Sequence, residues 1–230
     1  MLEPTFRFKQ FAVTDRRCGM KLGTDGVVLG ALAAARRPDG RFADIGAGCG
    51  IIGLMLAQRY AKATIDFIEL DSGAADDLRE NVAASPWSER LNVVNSDFAL
   101  NDGVYDLIVS NPPYFPDGVV APDSSRALAR SGGAGLSVNS LIAYAPQHLC
   151  SGGRLAIIMP IELADGAEYE AVLQKLNLCR RVDVATSQRR GFTRTFMEFS
   201  KDDDSAPVYS RLNLNSDEYI ELVKDFYLKI

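Results

Sequence analysis

A chain of 230 residues with 47% hydrophobic and 24% charged side chains suits one soluble domain better than two small ones. Its apolar runs all fall short of the roughly 20 residues that span a bilayer, and residues 1–10 lack the apolar core of a signal peptide, so a cytoplasmic role is expected rather than a membrane or secretory one. The net charge of −5 argues against a broad nucleic-acid surface, but the charges are segregated, with five arginines and one aspartate in residues 179–194 and seven basic against four acidic residues in 1–40.

Taken in chain order, residues 1–40 form an N-terminal segment that precedes the first long apolar strand. From there strand-like and helix-like runs alternate. Strands are expected at 41–45, 64–70, 91–95, 105–110 and 154–159, with two further β-rich runs at 181–186 and 193–200. Helices are expected at 50–60, 72–84, 137–149 and 166–176, and an amphipathic one at 217–230. Near-continuous apolar strands separated by helices indicate a buried parallel sheet. The last two long strands are joined by a short loop, which predicts one antiparallel strand at the sheet edge. Residues 201–206, with three consecutive aspartates, read as a turn or surface loop. The four cysteines, at 18, 49, 150 and 179, form no metal-ligand spacing and read as small buried hydrophobes, and the single histidine, His148, reads as structural. No metal site is expected.

A parallel sheet binds ligands beyond the carboxyl ends of its strands. The first long strand ends in Asp44-Ile45-Gly46-Ala47-Gly48-Cys49-Gly50, where glycines permit a tight turn and close backbone approach to a ligand. The second ends at Glu69, 19 residues after Gly50, where a carboxylate can accept from both hydroxyls of a ribose. The third ends in Asn95-Ser96-Asp97-Phe98, where Asp97 could accept from an adenine amino group and Phe98 could line the ring. Carboxylates at 44, 69 and 97 suit a cationic sulfonium better than a dianionic pyrophosphate, which favours S-adenosylmethionine over a nicotinamide dinucleotide.

The fourth strand runs into Asn111-Pro112-Pro113-Tyr114. Two prolines fix the backbone and remove two donors, leaving a rigid corner that presents the Asn111 side-chain oxygen and the Pro112 carbonyl as acceptors. Two acceptors aimed at a planar amino group can direct its lone pair toward a methyl donor, and Tyr114 offers a ring on which a base can stack. Catalysis of that kind is positioning plus electrostatics, without a strong base. Gln188-Arg189-Arg190-Gly191-Phe192-Thr193-Arg194 joins the last two long strands, and Arg189, Arg190 and Arg194 are candidates for phosphate contacts flanking a base.

The glycine turn, the acid ending the second strand and the Asn-Pro-Pro-Tyr corner together resemble the class I amino-methyltransferases, which act on adenine N6 or on glutamine amides. Phe8-Lys9-Gln10-Phe11, the run from Cys18 to Gly30 containing Lys21-Leu22-Gly23-Thr24-Asp25-Gly26, residues 85–90 and Phe226-Tyr227-Leu228 are similar to the bacterial tRNA1(Val) adenine-N6 methyltransferases. The resemblance covers nearly the whole chain. It implies a single domain over 1–230, with residues 41–230 as a Rossmann-like core. It implies the family's seven-stranded, mostly parallel sheet with helices on both faces. It implies methylation of the adenine 3′ of the anticodon in a valine tRNA. A monomer is expected. Carried over, Lys21, Thr24 and Asp25 lie beside the methionine end of S-adenosylmethionine, and Gly46, Gly48, Glu69, Asp97 and Asn111 bind it. Asn111, Pro112 and Tyr114 hold the adenine, and Arg126 and Arg130 match basic positions in the loop after the corner. Competing readings are a glutamine methyltransferase acting on a release factor, which normally carries a helical N-terminal domain, an adenine methyltransferase acting on another RNA or on DNA, and a cofactor-binding module without catalysis.

Overall fold

A computed structural model describes residues 5–114, 135–187 and 191–228. The sheet is built on runs in which nearly every side chain is apolar. Strands β3 (Arg41–Ile45), β4 (Thr64–Glu69) and β6 (Tyr105–Ser110) bury both faces, and β5 (Leu91–Asn95) and β7 (Leu149–Pro160) flank them. Strand β8 (Asn177–Ser187), β9 (Gly191–Ser200) and β10 (Val208–Asn213) complete an eight-stranded sheet of order β10-β8-β9-β7-β6-β3-β4-β5. All neighbours are parallel except β9, which runs antiparallel to both β7 and β8.

Two expectations about the sheet need correction. The reversed strand, β9, lies inside the sheet between β7 and β8, because β8 reaches past it and the hairpin returns into the gap. The edge is taken by an eighth strand, β10, which pairs in parallel with β8. Four of its six residues are exposed, so it lacks the apolar run that identifies the inner strands. The aspartates before it do more than turn the chain. Asp202 accepts from the Gly152 N–H, and buried Asp203 pairs with Arg36 and Arg154, at 2.5 and 2.7 Å.

Helices cover both faces. On one side α1 (Thr24–Leu32), α2 (Ile51–Arg59), α3 (Ser72–Ala84) and the short α6 (Asp217–Val223) pack on a core that includes Phe42, Leu54, Phe67 and Phe196. On the other, α4 (Val138–His148) and α5 (Ala164–Leu173) pack on Ile45, Ile108, Leu155 and Phe199. Helix α3 starts where Asp71 accepts from the Ala74 N–H, and α4 starts on a capping box between Ser137 and Ser140. The last helix stops at Val223, after seven residues. His148 bonds the Gly103 carbonyl and stacks on Tyr144, a structural role as expected, and Cys18 and Cys49 are buried free thiols.

The N-terminal segment forms a two-stranded ribbon, β1 (Thr5–Arg7) and β2 (Ala12–Thr14), ahead of α1. Phe8 bridges Tyr227 near the other end of the chain, and the Lys9 N–H donates to the Phe226 carbonyl at 2.7 Å.

Candidate active site

Because β3, β4, β5 and β6 are parallel neighbours, the residues that follow them meet at one edge of the sheet. The turn after β3 is anchored by the Gly46 N–H donating to the Ile68 carbonyl at 2.8 Å. Gly48 has φ of +55°, and a Cβ there would point into open space, so the turn presents bare backbone to the site. Gly53, one turn into α2, sits so close to Phe67 that a Cβ would lie 2.2 Å from its ring, and this closeness brings α2 down onto the sheet.

The carboxylate of Glu69 spans two turns. One oxygen accepts from the Gly48 N–H and the other from the Asp71 N–H, each at 2.8 Å. Burial raises its pKa, and those two N–H donors pull it back. Asp44 is wholly buried. Its Oδ2 accepts from the Gly53 N–H at 2.9 Å, whereas Oδ1 has no partner among the described residues. Burial is the main reason its pKa is pushed up to about 7, and the charge of Glu69 adds to it. A buried carboxylate oxygen without a donor is costly unless something else satisfies it. Asp97 caps the turn at Phe98–Leu100 by accepting from the Ala99 N–H, and Phe98 is buried edge-on to Tyr144, with ring centroids 5.3 Å apart. Together these groups make an acceptor-rich wall around and beneath an open glycine turn, which fits a cationic ligand that carries donors.

The corner after β6 adjoins this wall. The Ser110 hydroxyl donates to the Ile45 carbonyl at 2.7 Å, so the strand that leads to Asn111 is tied to the strand that leads to Gly46. Pro112 is buried. The Tyr114 hydroxyl lies 2.8 Å from Asn111 Oδ1 and also bonds the Ile158 carbonyl on β7. Burial raises the Tyr114 pKa well above the ordinary phenol value. Nearby Asp25 adds to the rise, and Arg194 opposes it. Its hydroxyl therefore stays protonated and serves as a donor.

Asp25, in the first turn of α1, accepts from Arg194 Nε at 2.8 Å. This ion pair joins residues 169 positions apart and sets both beside Tyr114. Arg194, expected at a phosphate, thus carries a partner within the protein. Thr24 is exposed at the start of α1, and Lys21 donates to the carbonyls of Asp15 and Arg16, closing the loop between β2 and α1. Arg126, Arg130, Arg189 and Arg190 lie outside the described residues.

Two supporting residues escaped the sequence reading. Asn81 of α3 donates to the carbonyls of Thr14 and Cys49, each at 2.9 Å, and accepts from the Thr14 N–H. One amide therefore fastens the N-terminal ribbon to the glycine turn. Asp77, one helical turn earlier, accepts from the Arg17 backbone and guanidinium. Polar residues four apart on the buried side of an amphipathic helix were the available signal.

Residues 23–187 match the methyltransferase small domain family. The chain is 39% identical over 241 residues to a Bacteroides fragilis protein named tRNA1(Val) (adenine(37)-N6)-methyltransferase, covering 100% of each. It is 41% identical over 232 residues to an Aeromonas hydrophila protein of the same name, covering 98% of each. In fold it is similar to a solved structure from Agrobacterium tumefaciens, described as a predicted O-methyltransferase, with a TM-score of 0.64 and 20% identity over 88% of this chain and 96% of that one.

Proposed function

The chain belongs to the methyltransferase small domain family and, along its whole length, to the tRNA1(Val) (adenine(37)-N6)-methyltransferases, and from that premise we propose that it methylates N6 of adenine 37 in a valine tRNA, with S-adenosylmethionine as methyl donor. The observation that carries the chemistry is the Asn111 carboxamide, held at the end of β6 and tied through Ser110 to the strand that feeds the glycine turn. Gly46, Gly48, Glu69, Asp97 and the buried Asp44 would hold the cofactor, which supplies an electrophilic methyl group on a sulfonium.

The remaining work falls to the chain's own residues. An exocyclic amino group is a poor nucleophile because its lone pair is delocalised into the ring. Asn111 Oδ1 and the Pro112 carbonyl accept its two N–H bonds and turn the lone pair outward. Tyr114 has one proton and two acceptors within reach. Given to the Ile158 carbonyl, that proton leaves the phenol oxygen free to accept; turning the Asn111 carboxamide over then replaces the Oδ1 contact with a bond from its NH2 to Tyr114 and presents its oxygen to the substrate. The amino proton becomes acidic only after the methyl group arrives and then passes to water. Tyr114 cannot take it, because its environment keeps the hydroxyl protonated. Reaching the base inside an anticodon loop costs little unpairing. The tRNA would be met in the cytoplasm, and no described helix is long and apolar enough to cross a membrane.

The test is nucleoside mass spectrometry of valine tRNA from cells with and without the gene, together with methylation of an unmodified transcript by the purified chain. The reading expects N6-methyladenosine to disappear with the gene, and a transcript carrying guanine at position 37 to be inert. Unchanged N6-methyladenosine in that tRNA would refute it.

A further inference from the structure

Strand β9 is buried from Thr195 to its end, but it begins with an exposed aromatic ring. Phe192 keeps 37% of its surface open, and the guanidinium of Arg211, on β10, lies 5.0 Å from the centre of its ring. A single exposed apolar side chain is ordinary. Two further observations set this one apart. The first is the cation over the ring, carried by an exposed residue of the edge strand β10 across β8, which sets a guanidinium and an aromatic face together at the surface. The second is its place in the fold. β8 and β10 end, and β9 begins, at the sheet edge where β6 delivers Asn111. Phe192 stands two residues before Arg194, across an irregularity in the β8–β9 register, so it lies within about 7 Å along the strand of the ion pair beside Tyr114.

Unpaired bases are bound by stacking on aromatic rings and on arginine planes. Resting on the tRNA reading above, we propose that Phe192 and Arg211 form a second stacking platform, which receives a nucleotide adjacent to the target adenine once that adenine has entered the corner. The platform acts on the grip and register of the anticodon loop. It touches neither the cofactor nor the reacting nitrogen.

The test uses the full chain and an unmodified valine tRNA transcript, with variants F192A, F192W and R211A. Loss of one base–aromatic stack corresponds to a factor of about 5 to 140 in binding. F192A is expected to raise KM for tRNA by about that factor, with kcat within twofold of wild type. R211A should raise KM in the same direction, and F192W should restore it. Cofactor affinity, measured separately by calorimetry, should be unchanged in all three, which also checks that they fold. Two further transcripts carry an abasic nucleotide immediately 5′ or 3′ of the target. On one of them wild type should show the weakened KM of F192A, and F192A should lose nothing more. A KM for F192A within twofold of wild type, or no penalty from either abasic transcript, overturns the platform while leaving the methylation reading intact. Failure of wild type to methylate the intact transcript overturns both.

Discussion

Asp44→Asn separates the two demands placed on the buried carboxyl of β3. In the folded chain Asp44 is pushed up to about 7 from an ordinary 3.8, so it holds its proton about 4 kcal/mol more tightly than it does unfolded. The sign follows from the direction of that shift. Between pH 3.8 and 7 the folded state binds the proton and the unfolded state does not, so this contribution to stability is whole below pH 3.8, falls through the window and is gone above about 7. Asparagine keeps an oxygen for the Gly53 N–H, now 2.9 Å from Asp44 Oδ2, and puts a neutral NH2 where Oδ1 has no partner among the described residues. An unmatched buried amide costs about 1–3 kcal/mol at every pH. Wild type and variant should therefore be close at pH 5, and the difference should move by about 3 kcal/mol in the variant's favour by pH 8.5. Urea unfolding of the cofactor-free protein across that range measures it. A difference that stays constant from pH 5 to 8.5 would mean that Asp44 does not titrate in the window and would sink the argument. Calorimetry gives a second readout, since a cationic cofactor favours the carboxylate and should bind wild type more tightly as pH rises through 7.

Three other outcomes are expected. Asn111→Ala should lower kcat by about 10²–10³, the usual cost of one preorganised polar contact, with cofactor affinity within a few-fold of wild type; near-normal turnover would remove Asn111 from the mechanism. Tyr114→Phe deletes the hydroxyl shared by Asn111 and the Ile158 carbonyl, and steady-state kinetics should show kcat reduced by about two- to tenfold with the KM for tRNA little changed, because the ring remains. Asn81→Ala strips the Thr14 and Cys49 carbonyls of a buried donor and should cost about 2–4 kcal/mol in urea unfolding; a loss below 0.5 kcal/mol would show that the ribbon does not depend on that amide.

The inner strands were readable because burial on both faces leaves a continuous apolar run, and β3 and β6 have the bounds their sequences suggest, as does β5 at the sheet edge. Strand order carries no such local mark. Nothing in residues 191–200 says whether β9 returns inside or outside β8, and β10 is too polar to announce itself. The candidate site divides the same way. Asp44, Glu69, Asp97 and Asn111 could be found because a parallel sheet brings the ends of its strands together. The pairing of Asp25 with Arg194 and the reach of Asn81 to Cys49 depend on elements that meet only in the finished fold, and local spacing does not record such meetings.

The N-terminal ribbon is held on one side by Asn81 of α3 and by Phe11 edge-on to Trp87, and on the other by the Phe8–Tyr227 bridge with its bond from Lys9 to Phe226. A ribosome releases these anchors far apart in time. Residues 5–14 emerge before either partner exists, can take hold of α3 only once Asn81 has been made, and find their second anchor only when residues 226 and 227 appear. A nascent chain can thus assemble the glycine turn and the Asn111 corner while the strap beside them is fastened at one end. Closure of this edge of the molecule therefore waits on residues more than 200 positions downstream of those it fastens.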